Sequence, residues 1–322
     1  MSLDVVETGR SGDFLQANIT LDLEKNKDLV EVKMIRKTVS VLIPAFNAQD
    51  FILDALDSVR KQSFKPFEVL VLDDASSDNT RQVVRAYKRK YRTVFNLKLF
   101  SSSVNLGIGG ARSELVKLAK GNFIAFLSSD DVWDSDFLDT VMLEVTPYRG
   151  VYCDYWLCDS KLRMLAKYES QRFSKENVVL FALNKNMFVN FSCCVFPKAF
   201  FNKIGFDCRL RHGEDLVLLL DLVLAGLELK YVDVPLLFYR LHENQGTHIN
   251  DKKEFYNVYG LVANRLMKLG VGLEKIREHY VHVYLREFPT LFYRVKRKIR
   301  NVIKKYLPLL FSRVELTGVL DL

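Results

Sequence analysis

No run in this 322-residue chain is long and uncharged enough to span a bilayer, which takes about 20 consecutive apolar residues. Even the apolar stretch from Leu216 to Leu224 is interrupted by Asp221. Residues 1–37 lack the apolar core of a secretory signal, so a cytoplasmic location is expected. Cysteine is sparse: Cys153, Cys158, Cys193, Cys194 and Cys208 are odd in number and form no Cys-x-x-Cys pair. Reduced thiols are therefore expected rather than a disulfide framework, with Cys193-Cys194 in the core. There are only two tryptophans, Trp133 and Trp156, and core packing is the expected place for both. No internal repeat or low-complexity tract is present. No nucleic-acid recognition module accompanies the basic residues, so nucleic acid is not an expected partner.

What is present is ample material for a core: 49% of the residues are hydrophobic, and the length allows up to two domains. Val39-Ser40-Val41-Leu42-Ile43 reads as a buried strand ended by Pro44. Ile52, Leu53, Leu56 and Val59 recur at helical spacing, with Asp50 placed to cap them. A second strand is expected over Phe67–Leu72, a helix around Val83, Val84 and Tyr87, and a third strand over Leu97–Phe100. Ala111, Leu115, Leu118 and Ala119 mark a third helix, which Gly121 is suited to stop. A fourth strand over Asn122–Leu127 delivers the adjacent carboxylates Asp130-Asp131. Such alternation implies right-handed crossovers and a mostly parallel sheet, with ligands bound beyond the carboxyl ends of the strands. Pro44 to Asn47, Asp73-Asp74 and Asp130-Asp131 all fall at such ends. Paired carboxylates there can hold a hard divalent cation that bridges to phosphate oxygens, although turn and cap roles produce the same pattern.

Val39 to Asn47, Leu72 to Thr80, Asn105-Leu106-Gly107 through Ala111-Arg112, and Phe126 to Asp131 together resemble glycosyltransferase family 2. Those enzymes are inverting sugar transferases of the GT-A fold, and the resemblance runs from about Val39 to His242. It implies an α/β architecture with a Rossmann-like, mostly parallel central sheet flanked by helices. The expected division is an N-terminal extension over residues 1–37, partly helical, a catalytic domain over 38–250, and a basic helical region over 251–322.

The resemblance also implies roles. Pro44 and Phe46 would line the nucleobase pocket, with stacking on Phe46 contributing roughly 1–3 kcal/mol; core packing is the alternative for Phe46. Asp74 would accept the imino hydrogen of a uracil-like base, with Asp73 a supporting turn residue. Asn105 and Gly107 would border the nucleoside. Arg112 would pair with a carboxylate near the donor, or form a structural salt bridge. Asp131 is the expected ligand of Mg²⁺ or Mn²⁺, with Asp130 touching ribose, sugar or a metal-bound water. Ser128 stands where the family often has another Asp. Arg240 would bind phosphate oxygens and His242 the metal or the diphosphate.

His212-Gly213-Glu214-Asp215 precedes the apolar helix pattern of Leu216, Leu219, Leu220, Val223 and Leu224. By spacing alone this is an acidic helix N-terminus favoured by the dipole. The resemblance makes Asp215 the general base toward the acceptor hydroxyl, with Glu214 orienting the acceptor or assisting. The donor would be a nucleotide-sugar, a UDP-sugar by preference, and the acceptor a saccharide or lipid-linked precursor of a surface glycan. The rivals are a nucleotidyltransferase, which would ordinarily show a Gly-rich phosphate loop where Pro44-Ala45-Phe46-Asn47 stands, and a non-catalytic sugar- or membrane-binding scaffold.

The 47 Lys+Arg exceed the 39 Asp+Glu by eight, giving a net charge of +8. The excess gathers at the C-terminus, where Leu291, Val295, Ile299, Val302, Ile303 and Tyr306 share one helical face among basic residues. That stripe suits an anionic membrane surface, and peripheral attachment at the inner face is expected; a helix packed on the catalytic domain is the alternative.

Overall fold

The computed structural model describes residues 4–8, 14–21, 30–170, 172–173, 189–210, 212–243, 245, 252–272, 274 and 276–277. Three strands open the chain: β1 (Asp4–Thr8), β2 (Phe14–Leu21) and β3 (Val30–Arg36), paired antiparallel in that order. Partial helix was expected over residues 1–37; the described part is a β-meander instead. Alternating sequences such as Val-Glu-Val-Lys-Met-Ile in β3 favour that outcome.

The remaining elements are β4 (Val39–Ala45), α1 (Ile52–Arg60), β5 (Glu68–Asp73), α2 (Thr80–Lys90), β6 (Leu97–Ser101) and α3 (Gly107–Leu118). They continue with β7 (Phe123–Phe126), β8 (Val132–Trp133), α4 (Phe137–Glu144), β9 (Arg149–Cys158), β10 (Met164–Tyr168) and β11 (Cys194–Pro197). Last come α5 (Glu214–Leu224), β12 (Glu228–Arg240) and α6 (Lys252–Lys268). Nine strands form one mixed sheet in the order β6-β5-β4-β7-β11-β9-β12-β8, with β10 added against β9. β4, β5, β6 and β7 are mutually parallel, and β9 is parallel to β12. β11 runs antiparallel to both β7 and β9, so β9 and β12 point the same way as the first four strands. The carboxyl ends of β4, β5, β7, β9 and β12 therefore share one sheet edge, and the α/β expectation holds.

Every residue of β4, β5 and β7 is buried, because helices cover both faces of the sheet. One face packs Val41 and Ile43 against Ile52 and Leu56 of α1, Val84 of α2 and Val141 of α4. The other packs Leu42, Leu70 and Phe126 against Leu115 of α3 and Leu219 of α5. Trp133 and Cys193-Cys194 are buried, as expected.

Several local expectations are corrected. Asp50 does not cap α1; Phe51 occupies the cap and no side chain caps the helix. β12 runs on through Pro235 to Arg240, because the proline is absorbed at a register shift rather than ending the pairing. Gly121 is not the left-handed stop of α3, whose cap residue is Ala119 in extended conformation. It is required for close approach instead. A Cβ there would lie 2.7 Å from the Ser40 backbone nitrogen and 2.9 Å from the Thr38 carbonyl oxygen. The Gly121 N–H also donates to Ser40 Oγ at 2.8 Å, and that hydroxyl donates to buried Glu68. Replacing Gly121 by Ala should therefore cost about 2–3 kcal/mol, since the obstacle is backbone that cannot move aside. Equilibrium denaturation checks this, and a loss under 0.5 kcal/mol (roughly the size of a neutral surface change) would contradict it.

Candidate active site

The loop after β4 is rigidly tied to the loop after β5. Asn47, at φ 48°, accepts at Oδ1 from the Ser77 N–H at 2.9 Å, and its own N–H donates to Ser76 Oγ at 3.0 Å. Phe46, next to it, is 50% exposed, which removes core packing as its role. Pro44 is buried inside β4 and supports the loop from behind. Asp74 is almost wholly buried, and its Oδ1 accepts from the Leu106 N–H at 2.8 Å. Burial, with the neighbouring Asp73 charge, raises its pKa against the hydrogen bonds from Leu106 and Gly107. Asn105 Oδ1 in turn accepts from the Gly107 N–H at 2.9 Å, and Gly107 opens α3 at φ 72°. Asp74 thus fixes the Asn105–Gly107 loop beside exposed Phe46. Asp73 is buried too, held at Oδ2 by Arg81.

The Asp130-Asp131 pair divides sharply. Asp131 is fully buried: Oδ1 accepts from the Arg240 backbone N–H at 3.1 Å and Oδ2 from Ser192 Oγ at 3.0 Å. Burial and the Asp130 charge push its carboxyl well above the usual carboxylate range, against those hydrogen bonds. Asp130 remains partly exposed, and its Oδ2 lies 2.9 Å from His242 Nε2. Arg240, expected on phosphate oxygens, is buried and committed elsewhere. Its Nε donates to the Asp130 carbonyl at 2.8 Å, Nη1 to the Ser160 carbonyl at 2.6 Å, and Nη2 to Asp54 Oδ2 at 2.8 Å. Phe51 packs on both partners, its ring 4.7 Å from the His242 ring and under the Arg240 guanidinium at 4.8 Å.

Across the cleft, Gly213 at φ 71° turns the chain into α5, and Glu214 and Asp215 fill its first turn. Arg112 reaches from α3 to Glu214 Oε1 at 2.7 Å and lies 4.0 Å from Asp215 Oδ2. Both members of the close pair are buried, so Arg112 does not face a donor and Glu214 is not presented to an acceptor. Asp215 is the more accessible carboxylate, at 15% side-chain exposure. Burial raises its pKa, opposed by the Arg112 charge.

The two halves meet at Tyr239, the penultimate residue of β12. Burial raises its phenol pKa, and the charges of Asp131, Asp130 and Asp215 all add to that rise. The charges of Asp130, Asp131 and Asp215 thus all act on one phenol, which lies at the same end of the sheet as the Asp pair. Tyr239, Asp54, Phe51 and Ser192 are functional neighbours that sequence reading missed. Tyr239 adjoins Arg240 and His242, both already singled out in the sequence. Phe51 is the cap residue of α1 and Asp54 lies in its first turn, a few residues past the Val39–Asn47 motif, while Ser192 sits on the short turn before β11, remote in sequence from every motif.

No helix among the described residues is long and apolar enough to cross a membrane, and the basic stripe over residues 291–306 lies outside them. The profile described as glycosyl transferase family 2 matches residues 40–205, just over half of the chain. A curated relative, the UDP-Glc:alpha-D-GlcNAc-diphosphoundecaprenol beta-1,3-glucosyltransferase WfgD of Escherichia coli, is 41% identical over 101 residues. That match covers 31% of this chain and 38% of WfgD, so the chain spans under two fifths of that relative. An uncharacterized glycosyltransferase of Rickettsia typhi is 27% identical over 281 residues, covering 83% of this chain and 82% of its own. The crystal structure of Staphylococcus aureus TarS residues 1–349 in complex with UDP-GlcNAc superposes with a TM-score of 0.59 at 20% identity. It covers 87% of this chain and 76% of TarS, and the shared GT-A architecture is the one expected. The chain belongs to glycosyl transferase family 2.

Proposed function

We propose that this protein transfers a sugar from a nucleotide-sugar, a UDP-sugar, to a hydroxyl of a saccharide or lipid-linked acceptor in surface-glycan biosynthesis, with inversion at the anomeric carbon. The observation that carries this reading is the family 2 match over residues 40–205, within which Asp130 stands beside His242 at the carboxyl edge of the sheet. The names of WfgD and of the TarS complex, which specify UDP-sugars, favour that donor class. Phe46 offers an exposed ring for the nucleobase, and Asp74 holds the Asn105–Gly107 loop. Asp215 takes the proton of the acceptor hydroxyl; burial raises its proton affinity above that of an ordinary carboxylate, in the direction a base needs. The cleft between the two acidic ends holds acceptor and donor in line, which removes much of the entropic barrier.

The residues present fit Mg²⁺ or Mn²⁺, with one change from the sequence expectation. Asp131 has both oxygens engaged inside the protein, so Asp130 with His242 is the better pair of ligands. Their side chains meet at 2.9 Å, so both would be within reach of one cation. Among the described residues no group of three His, Cys, Asp or Glu side chains forms a complete cage. Donor phosphates and water would therefore complete the shell, as Mg²⁺ sites commonly arrange. Such a cation offsets the charge growing on the departing nucleoside diphosphate. Asp131 and Arg240 serve by holding the loop that presents Asp130.

The rival of a non-catalytic scaffold is disfavoured by a base-like carboxylate held in the same cleft as the Asp pair. A nucleotidyltransferase is disfavoured by the exposed Phe46 where a phosphate loop would stand. The basic stripe at residues 291–306 supports an anionic membrane surface as a further partner. Co-sedimentation with phosphatidylserine-containing vesicles should exceed that with neutral ones; equal recovery would refute this.

Replacing Asp215 by Asn should lower transfer about 10²–10⁴-fold while UDP affinity, measured by calorimetry, stays within a factor of about three; undiminished transfer removes Asp215 from the base role. In a thermal-shift panel of UDP-, GDP- and dTDP-sugars, the UDP-sugar with Mn²⁺ should stabilise most. His242→Ala should abolish the Mn²⁺ increment and leave a smaller UDP-sugar shift. An unaltered Mn²⁺ increment in that variant would exclude His242 as a ligand.

A further inference from the structure

We propose that Glu214 is a positioning residue: it claims the Arg112 guanidinium and thereby leaves Oδ2 of Asp215, whose Oδ1 accepts from the Leu216 N–H at 2.8 Å, for the acceptor hydroxyl. The inference rests on the reading of Asp215 as the base.

Neighbouring positions in a helix differ by about 100° in direction, yet both acids of the first turn approach the same arginine. Glu214 holds Arg112 Nη1 at 2.7 Å, whereas Asp215 stays at 4.0 Å. Gly109 makes this approach possible, since a Cβ there would already sit 3.2 Å from Glu214 Cγ. The guanidinium is walled by Phe126, Phe191 and Phe206, with its carbon 5.8, 5.4 and 5.9 Å from their ring centres. In that dry enclosure its charge acts strongly on anything nearby. Arg112 Nε is buried and has no hydrogen-bond partner. A guanidinium with a spare buried donor would turn to the next carboxylate if Glu214 no longer held it, and that carboxylate is Asp215. A free cation at such a distance lowers a carboxylate pKa by about 1–3 units, which would make Asp215 a poorer base and tie up its oxygen. Glu214 prevents both.

The other charged or titratable groups around Asp215 do not supply this control. His212 precedes it on the same segment, Tyr239 approaches from β12 and Cys194 from β11. On α6, Arg265 is engaged with Asp221, nearly two turns along α5.

The test is the pH dependence of kcat/KM for the full chain with a UDP-sugar donor. Glu214→Gln keeps the shape and removes the charge, so the acid limb should move down by about one pH unit or more and the plateau should fall. Arg112→Gln should move the limb upward, because Asp215 then loses its cation and keeps an anionic neighbour. Glu214→Asp, which retains the charge, should bring the limb back toward that of the wild type. UDP affinity measured alongside shows which variants are folded. If Glu214→Gln or Arg112→Gln, whichever folds, lowers the plateau with the limb unmoved, the pair is merely structural and the inference fails. If instead Asp215→Asn keeps the acid limb, the base assignment itself fails, a result separable from the first.

Discussion

Arg240 is the joint on which this cleft depends. Its guanidinium is buried at the carboxyl edge of the sheet, and three of its donors fan out to Asp130, Ser160 and Asp54. Its backbone N–H holds Asp131. Four segments far apart in sequence are thereby locked together: α1, the loop after β7, the β9–β10 turn and the end of β12. Removing one partner of a buried ionic group is costly, because the other is left with an uncompensated charge. The consequence is that Asp130 and His242 meet at 2.9 Å without either being free to wander.

A second arginine does the same work on the opposite wall. Arg112 is enclosed by aromatic rings and paired with Glu214, and it fixes the first turn of α5 from which Asp215 projects. The two walls are independent constructions on opposite faces of the sheet. They converge because β7, β12 and α5 all end or begin at one edge, a consequence of the shared strand direction. Tyr239 lies where the two fields overlap.

Much of this was legible in the sequence. The unbroken apolar runs of β4, β5 and β7 fixed buried parallel strands, and the motifs at their ends led to Asp74 and Asp130, while the family resemblance pointed to Asp215 before α5 and to His242 after β12. What was illegible follows from geometry that sequence spacing does not carry. The resemblance implies the metal for Asp131 and an outer contact for Asp130, but spacing does not show that β12 buries Asp131 behind Ser192 and the Arg240 N–H. Arg112 pairs with a carboxylate, as one of its two expected roles had it, and that carboxylate is Glu214; Arg240, expected on phosphate oxygens, spends its donors inside the protein. Gly121 looked like a helix stop, but it serves the contact with Ser40, a contact between segments about eighty residues apart. Pro235 would ordinarily end a strand; a register shift lets β12 continue to the residues that complete the site.

The most direct test of the central claim is a crystal structure with UDP-sugar and Mn²⁺ bound. The account expects the diphosphate beside Asp130 and His242, the base against Phe46, and the anomeric carbon open to Asp215 with Tyr239 alongside. A nucleotide seated away from Asp130, or an Asp215 carboxylate on the far side of Arg112 with no path to the sugar, would contradict it.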